Sequence, residues 1–159
     1  MSVPKSVVKF KKGKVEYVSS CDRAMYTIEE LTRAALRDVG KYVTRICNDK
    51  ALKLFYGGLR KTNRIIPHSG SDKSKVAFQY WARKKECDLQ VGIKHGTWYG
   101  TEQELGSSKT PRLGILRDTV YENIPEIIKI ESQYLSALED EAAALAMINE
   151  EDYEGSGED

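Results

Sequence analysis

Apolar residues recur along this 159-residue chain in two rhythms, and the change from one to the other sketches the fold. From Ile28, the apolar positions Leu31, Ala35, Val39, Tyr42 and Ile46 follow at steps of three and four, and Leu36, Val43 and Cys47 widen the stripe. That spacing predicts a helix of about five to six turns with one buried face. Thr27 and Glu30 have the spacing of a capping box, in which hydroxyl and carboxylate satisfy free N–H groups reciprocally. The pattern continues through Leu52 and Phe55, with Gly57-Gly58 as the expected stop. Gly40 weakens this helix without ending it.

The second rhythm has a period of two. Val76, Phe78, Tyr80 and Ala82 alternate with polar partners, as do Cys87, Leu89, Val91 and Ile93. The short Lys84-Lys85-Glu86 connection makes Val76–Ala82 and Cys87–Ile93 an antiparallel hairpin. Trp81 falls on the other face, so the hairpin has either apolar cover on both sides or an exposed aromatic. Upstream, Val7, Val8, Phe10, Val15 and Tyr17 around Lys12-Gly13 read as a strand or loose hairpin, while residues 59–74 read as a basic loop. Downstream, Tyr99 to Leu105 reads as a helical turn or two closed by Gly106. Leu113, Leu116, Val120 and Tyr121 then predict a short helix up to Asn123. Pro125 suits the first turn of another, whose apolar stripe is Ile128, Leu135, Leu138, Ala142 and Leu145. Asn149 to Asp159 carries six carboxylates and reads as a disordered acidic tail. The expectation is an α+β fold: a small antiparallel β-sheet packed by a long N-terminal helix, with C-terminal helices. It occupies one domain over 1–148, with a flexible acidic tail over 149–159.

Charge changes this picture more than composition does. Hydrophobic residues are 40% and charged residues 31%, as in ordinary globular proteins. No apolar run approaches the roughly 20 residues of a membrane-spanning helix. Met1 to Phe10 lacks the apolar core of a signal peptide, so Cys21, Cys47 and Cys87 are expected to be reduced thiols in a cytosolic setting. The formal net charge of +1 hides a division. Residues 1–100 hold 21 Lys+Arg against 9 Asp+Glu, a net +12, and residues 101–159 hold 4 against 15, a net −11. Such asymmetry suggests self-association, an acidic tail or a field facing nucleic acid; a basic domain neutralised by its own acidic segment is the plainer alternative.

Catalytic constellations are thin. His68 and His95 lie in loops with no acid at triad spacing, and the three cysteines show no metal-ligand spacing. Gly92, Gly96, Gly100 and Gly106 match no phosphate loop, and Glu102 with Glu104 reads as structural or solvated. No enzyme activity, cofactor or metal is expected. A binding feature is plainer: Arg33, Arg37, Lys41 and Arg45 fall at four-residue intervals and make a basic ridge on the helix. It is either a solvated face relieved by Glu29 and Asp38, or a contact for an acidic partner or DNA phosphates. No helix-turn-helix or zinc finger accompanies it, so sequence-specific DNA reading is not expected.

One stretch carries a resemblance. Val91-Gly92-Ile93, Tyr99, Glu104-Leu105-Gly106-Ser107-Ser108-Lys109-Thr110-Pro111, Leu113 and Leu116-Arg117-Asp118 follow in order. This resembles the signature of the small neck proteins of tailed double-stranded DNA bacteriophages, the head–tail joining or tail-completion family, over about residues 27–138. Where that family has a phenylalanine after the proline, this chain has Leu113 or Ile115. The resemblance implies a virion structural protein at the head–tail junction, present in the host cytoplasm during assembly. It implies a homo-oligomeric ring, commonly a hexamer, whose neighbours are head-completion or connector proteins and tail-tube or tail-terminator proteins. Genome DNA would pass through the lumen without sequence-specific binding, and no membrane would be involved. Residue types at the motif point to the joining surface: Trp98, Tyr99, Glu104, Leu105, Lys109, Arg112, Leu113 and Arg117 mix the aromatic and arginine side chains enriched at interface hot spots. The alternative for Tyr99 and Leu105 is that they close the domain's own core. The alternative for the whole chain is a small nucleic-acid-associated accessory protein using Arg33, Arg37, Lys41 and Arg45 on phosphates.

Overall fold

The computed structural model describes residues 7–12, 14–56, 78–83, 86–94 and 100–154. The basic loop at 59–74, Val76, His68, His95, Trp98 and Tyr99 lie outside the described residues. The elements run β1 (Val7–Lys12), β2 (Val15–Ser19), α1 (Cys21–Tyr56), β3 (Phe78–Arg83), β4 (Asp88–Ile93), α2 (Gly100–Leu105), α3 (Ile115–Glu122), α4 (Ile124–Ala137) and α5 (Glu141–Glu154). The fold is α+β. Its strands form two separate antiparallel hairpins, β1–β2 and β3–β4.

The 36-residue α1 is the axis, packing against β3, β4, α3, α4 and α5. It starts at Cys21, well ahead of the expected cap at Thr27. The Ser20 carbonyl accepts from the Ala24 N–H at 2.9 Å, and Asp22 places a carboxylate in the first turn, where the helix dipole favours it. Thr27 is therefore inside the helix and buried, its hydroxyl donating back to the Arg23 carbonyl at 3.0 Å. Glu30 pairs with Arg33 at 3.3 Å, so no capping box forms.

The buried face of α1 serves two apolar clusters in succession. Leu31, Ala34 and Ala35 meet Tyr134 and Ala137 of α4 and Ala144 and Ile148 of α5. Val39, Val43, Cys47 and Ala51 meet Phe78 of β3 and Ile115 of α3, with Leu89, Val91 and Ile93 packed alongside. Burial pushes the Cys47 thiol pKa up, against the opposing effect of the Thr119 hydroxyl, and leaves it a neutral core side chain. Polar links join the layers. Tyr42 Oη donates to Asn123 Oδ1 at 2.9 Å, Tyr134 Oη donates to Asp38, and the Phe78 N–H donates to Asn48 Oδ1 at 3.2 Å.

The β3–β4 register pairs Phe78 with Ile93, Tyr80 with Val91 and Ala82 with Leu89, which puts the alternating apolar residues on one face. Trp81, on the other face, is 65% exposed. Cys87 belongs to the turn at φ 49, so β4 begins at Asp88. At the turn end of the hairpin, Arg83 holds the Asp88 carboxyl below its usual range through a hydrogen bond. That contribution is present at neutral pH and lost on acidification through the lowered pKa.

Two C-terminal expectations are corrected. The stripe Ile128, Leu135, Leu138, Ala142 and Leu145 does not make one helix with one buried face. The chain turns at 138–140, and Ile128, Leu135 and Leu138 are exposed while Tyr134 and Ala137 are buried. The helix has a second stripe, Ile127, Ile130, Tyr134 and Ala137, and the large Tyr134 ring with its bond to Asp38 selects it. On α3, Ile115 and Thr119 are buried, whereas Val120 and Tyr121 are exposed. In addition, α5 extends through Glu154, so its backbone takes in the start of the segment read as a flexible tail. An Ala-rich start and a run of strong helix formers propagate the helix cheaply once Ala144 and Ile148 anchor it.

Gly40 gives the fold its sharpest test. A Cβ there would lie 2.5 Å from Tyr80 Cδ2 and 3.0 Å from Leu89 Cδ1. Helix propensity alone says that Gly40→Ala should stabilise by about 1 kcal/mol. Overpacking against the ring costs about 1–3 kcal/mol, so chemical denaturation should show a net loss. Leu89→Asp, which puts a charge against the same surface, should cost several kcal/mol in the same assay.

Candidate assembly interface

The motif region is a braced projection built from α2, the turn after it and α3. Gly106 ends α2 at φ 83, its N–H donating to the Glu102 carbonyl at 2.8 Å. A side chain there would combine a strained backbone with a Cβ 3.0 Å from Arg112 Cβ, so glycine is required. Ser107 and Thr110 exchange backbone bonds at 2.9 and 3.3 Å, which closes a tight loop. The returning chain is tied to α2 where the Leu113 N–H donates to the Gln103 carbonyl at 2.8 Å and the Gly114 N–H to the Glu104 carbonyl at 3.2 Å.

Glu104 completes the brace. The N-cap of α3 is Gly114, which offers no side-chain acceptor. Glu104 Oε1 takes that role from across the loop, accepting from the Leu116 N–H at 2.8 Å and the Arg117 N–H at 3.3 Å. A carboxylate at a helix N-terminus satisfies open donors and sits favourably in the dipole. Glu104 thus acts within its own chain, positioning the residues that the loop displays.

Those residues include most of the candidate interface set. Leu105 is 69% exposed, and Lys109, Arg112 and Arg117 are also at the surface. Leu113 is half-buried against the β3–α1–α3 cluster. Leu105 therefore does not close the domain's own core; for Tyr99, as for Trp98, the position lies outside the described residues. Arg112, Leu113 and Arg117 converge with Gly114, Asp118 and Tyr121 around an open concavity of about 480 Å³. The Arg117 guanidinium lies 5.6 Å from the centre of the Tyr121 ring. Sequence reasoning used Tyr121 only as an apolar position of a short helix and Asp118 only within the Leu116-Arg117-Asp118 motif, and placed neither in the candidate site. The four-residue step from Arg117 to Tyr121 was the available signal, since it places both on one face of α3.

The concavity combines two arginines, an exposed aromatic ring and a single carboxylate. Such a surface recognises carboxylates or other anions set beside apolar contacts. No described cluster of His, Cys, Asp and Glu could hold a metal ion.

The basic ridge is dispersed. Arg33 pairs with Glu30 at 3.3 Å and Lys41 with Asp38 at 3.7 Å. Arg45 lies 5.9 Å from the centre of the Tyr42 ring, and Arg37 is half-buried. Lys41 and Arg45 line a groove of about 260 Å³ between α1 and α4 with Ile130 and Gln133, and Arg33 and Arg37 do not. Relief of the like charges comes from Glu30 and Asp38, where Glu29 and Asp38 were expected. The i,i+3 step serves Arg33 better than the i,i+4 step here.

No family model, curated protein or solved structure matches the chain. No helix among the described residues is long and apolar enough to cross a membrane.

Glu104→Ala should cost about 1–2 kcal/mol in chemical denaturation, as for loss of a helix cap, without changing the slope. Glu104→Gln keeps an acceptor and should recover part of that loss. Equal losses for both would show that charge at the α3 terminus, rather than hydrogen bonding, carries the effect.

Proposed function

We propose that this protein is a virion structural subunit, a ring-forming neck or tail-completion component that joins the DNA-filled head of a tailed bacteriophage to its tail. The observation that carries the reading is the design of the segment from Glu104 to Arg117. Internal backbone bonds and the Glu104 cap hold it rigid, yet its Leu105, Lys109 and Arg112 side chains face solvent. A rigid surface with exposed leucine, lysine and arginine side chains, next to the Tyr121 ring, suits docking. The segment coincides with the stretch that resembles the neck-protein signature.

The charge division supports head-to-tail contact between copies. Near-equal and opposite halves, +12 over residues 1–100 and −11 over residues 101–159, attract when one copy's basic part meets the next copy's acidic part. Such heterologous contacts close into rings when the rotation permits. On this reading the ring is a hexamer, its neighbours are connector and tail proteins, and genome DNA passes through without specific contacts. The phosphate-binding alternative draws less support, because Arg33 and Lys41 already have carboxylate partners on their own helix.

Arg112→Glu tests the joining surface. Arg112 is exposed, so the variant should fold with an unchanged melting temperature while phage carrying it accumulate unjoined heads and tails. Infectious particles at normal yield would remove the loop from the joining surface. Salt separates the alternative: the free protein should bind duplex DNA weakly, and tight low-salt binding that falls steeply with added salt would favour the accessory protein.

A further inference from the structure

Two parts of this molecule carry more apolar surface than their own contacts use. The first is a groove along α1 and α4. Leu135 is 65% exposed on α4, and Ile28, 50% exposed, faces it from α1. Ile28, Thr32, Leu36, Glu131, Leu135 and Leu138 lie along an apolar trough of about 180 Å³. Through Ile28 and Leu138 it continues into a hollow of about 380 Å³ beside Arg23, Glu141 and Ala144.

The second is the β1–β2 hairpin, whose strands pack extensively only on each other. A two-stranded hairpin left alone in water is marginally stable at best. Val15 and Val18 stand on opposite faces of β2, and they are 66% and 51% exposed, so the chain covers neither face there. Val18 pairs across the hairpin with Val8.

We propose that the β1–β2 hairpin of one copy of this chain seats in the α1–α4 groove of a neighbouring copy. The two match in charge: the hairpin sequence holds Lys9, Lys11, Lys12 and Lys14 against Glu16, whereas Glu131 lines the trough and the exposed Glu139 and Asp140 follow Leu138 at its end; Glu141 in the adjoining hollow is already paired with Arg23. They also match in length. Six strand residues extend about 20 Å, and trough and hollow together are lined along α1 from Arg23 to Leu36, a helical rise of about 20 Å. A second copy is favoured over the chain's own hairpin by the connection. Only Ser20 separates β2 from α1, and its carbonyl already accepts the first helical bond from Ala24. That leaves no slack for the hairpin to double back along the flank of the helix it feeds. Because donor and acceptor surfaces differ, the contact is heterologous and propagates from copy to copy. The exchange rests on the self-association in the proposed function and needs nothing of its phage context.

Cysteine cross-linking of the full chain tests it. The exposed Cys21 and Cys87 are replaced by serine, and Val18→Cys and Leu135→Cys are made in separate chains. Mixed and oxidised, they should form an 18–135 linked pair several-fold in excess of the pair either variant forms alone. Light scattering should show the unmodified chain as an oligomer, with Val18→Asp, Leu135→Asp and Ile28→Asp each smaller at unchanged circular dichroism. An oligomer with no excess 18–135 linkage overturns the exchange and leaves self-association standing. A chain carrying both cysteines that links only to itself overturns the exchange in favour of a hairpin folded back on its own groove. A monomer at every concentration overturns the exchange together with the ring.

Discussion

The fold depends on one close approach, that of the β3–β4 hairpin to α1 at Gly40. A methyl group on Gly40 would collide with the Tyr80 ring and press on Leu89, so the hairpin lies against bare backbone. This sets the distance at which Phe78 can enter the cluster of Val39, Val43, Cys47 and Ala51. With the hairpin at that distance, Ile115 of α3 fills the other side of the same cluster. The cost is a glycine in the middle of a helix, about 1 kcal/mol relative to alanine, which a helix of 36 residues packed along its length tolerates.

The placement of α3 governs the motif region in turn. Its first turn is held from below by Ile115 in the core and from the side by the Glu104 carboxylate. Two independent restraints on one helix terminus leave the intervening loop little freedom. The loop therefore presents Leu105, Lys109 and Arg112 from a fixed frame, with little ordering entropy left to lose on docking. The same frame brings Arg117 over Tyr121 and opens the concavity between α3 and the loop. Core packing and surface presentation are here two faces of one short helix.

Electrostatics acts on a longer scale. Among the described ion pairs, three join neighbours on one helix and two tie Arg83 across the β3–β4 turn, while Lys50 with Glu122 at 2.5 Å and Arg23 with Glu141 link α1 to the C-terminal helices. The two halves nonetheless differ in formal net charge, +12 against −11. Opposite charge on the two halves, a hairpin with valines exposed on both faces and an apolar trough of similar length are complementary. Association of copies would use all three.

Much of the secondary structure was legible because periodicity is a local property. The four-residue spacing of Leu31, Ala35, Val39, Val43 and Cys47 located α1, and alternation placed Phe78, Tyr80 and Ala82 opposite Ile93, Val91 and Leu89. Gly106 was legible as a chain reversal, because few residues other than glycine accept its φ of 83. Of the candidate site, the exposed Leu105, Lys109, Arg112 and Arg117 could be named from residue type alone. What the sequence could not determine depended on a neighbour. Two stripes ran along α4, and only the docking of Tyr134 against Asp38 decided that Ile128 and Leu135 would face outward. Thr27 had the spacing of a cap, but the start of α1 at Ser20 and Cys21 put it inside the helix. Gly40 read as a weakness until Tyr80 came to rest on it, and Glu104, legible as an acceptor for backbone or arginine donors, found its partners only when α3 turned its open N–H groups toward it. Spacing determines which residues share a face; which face is buried, and which polar atoms meet, was decided only by the tertiary structure, through segments far apart in the chain.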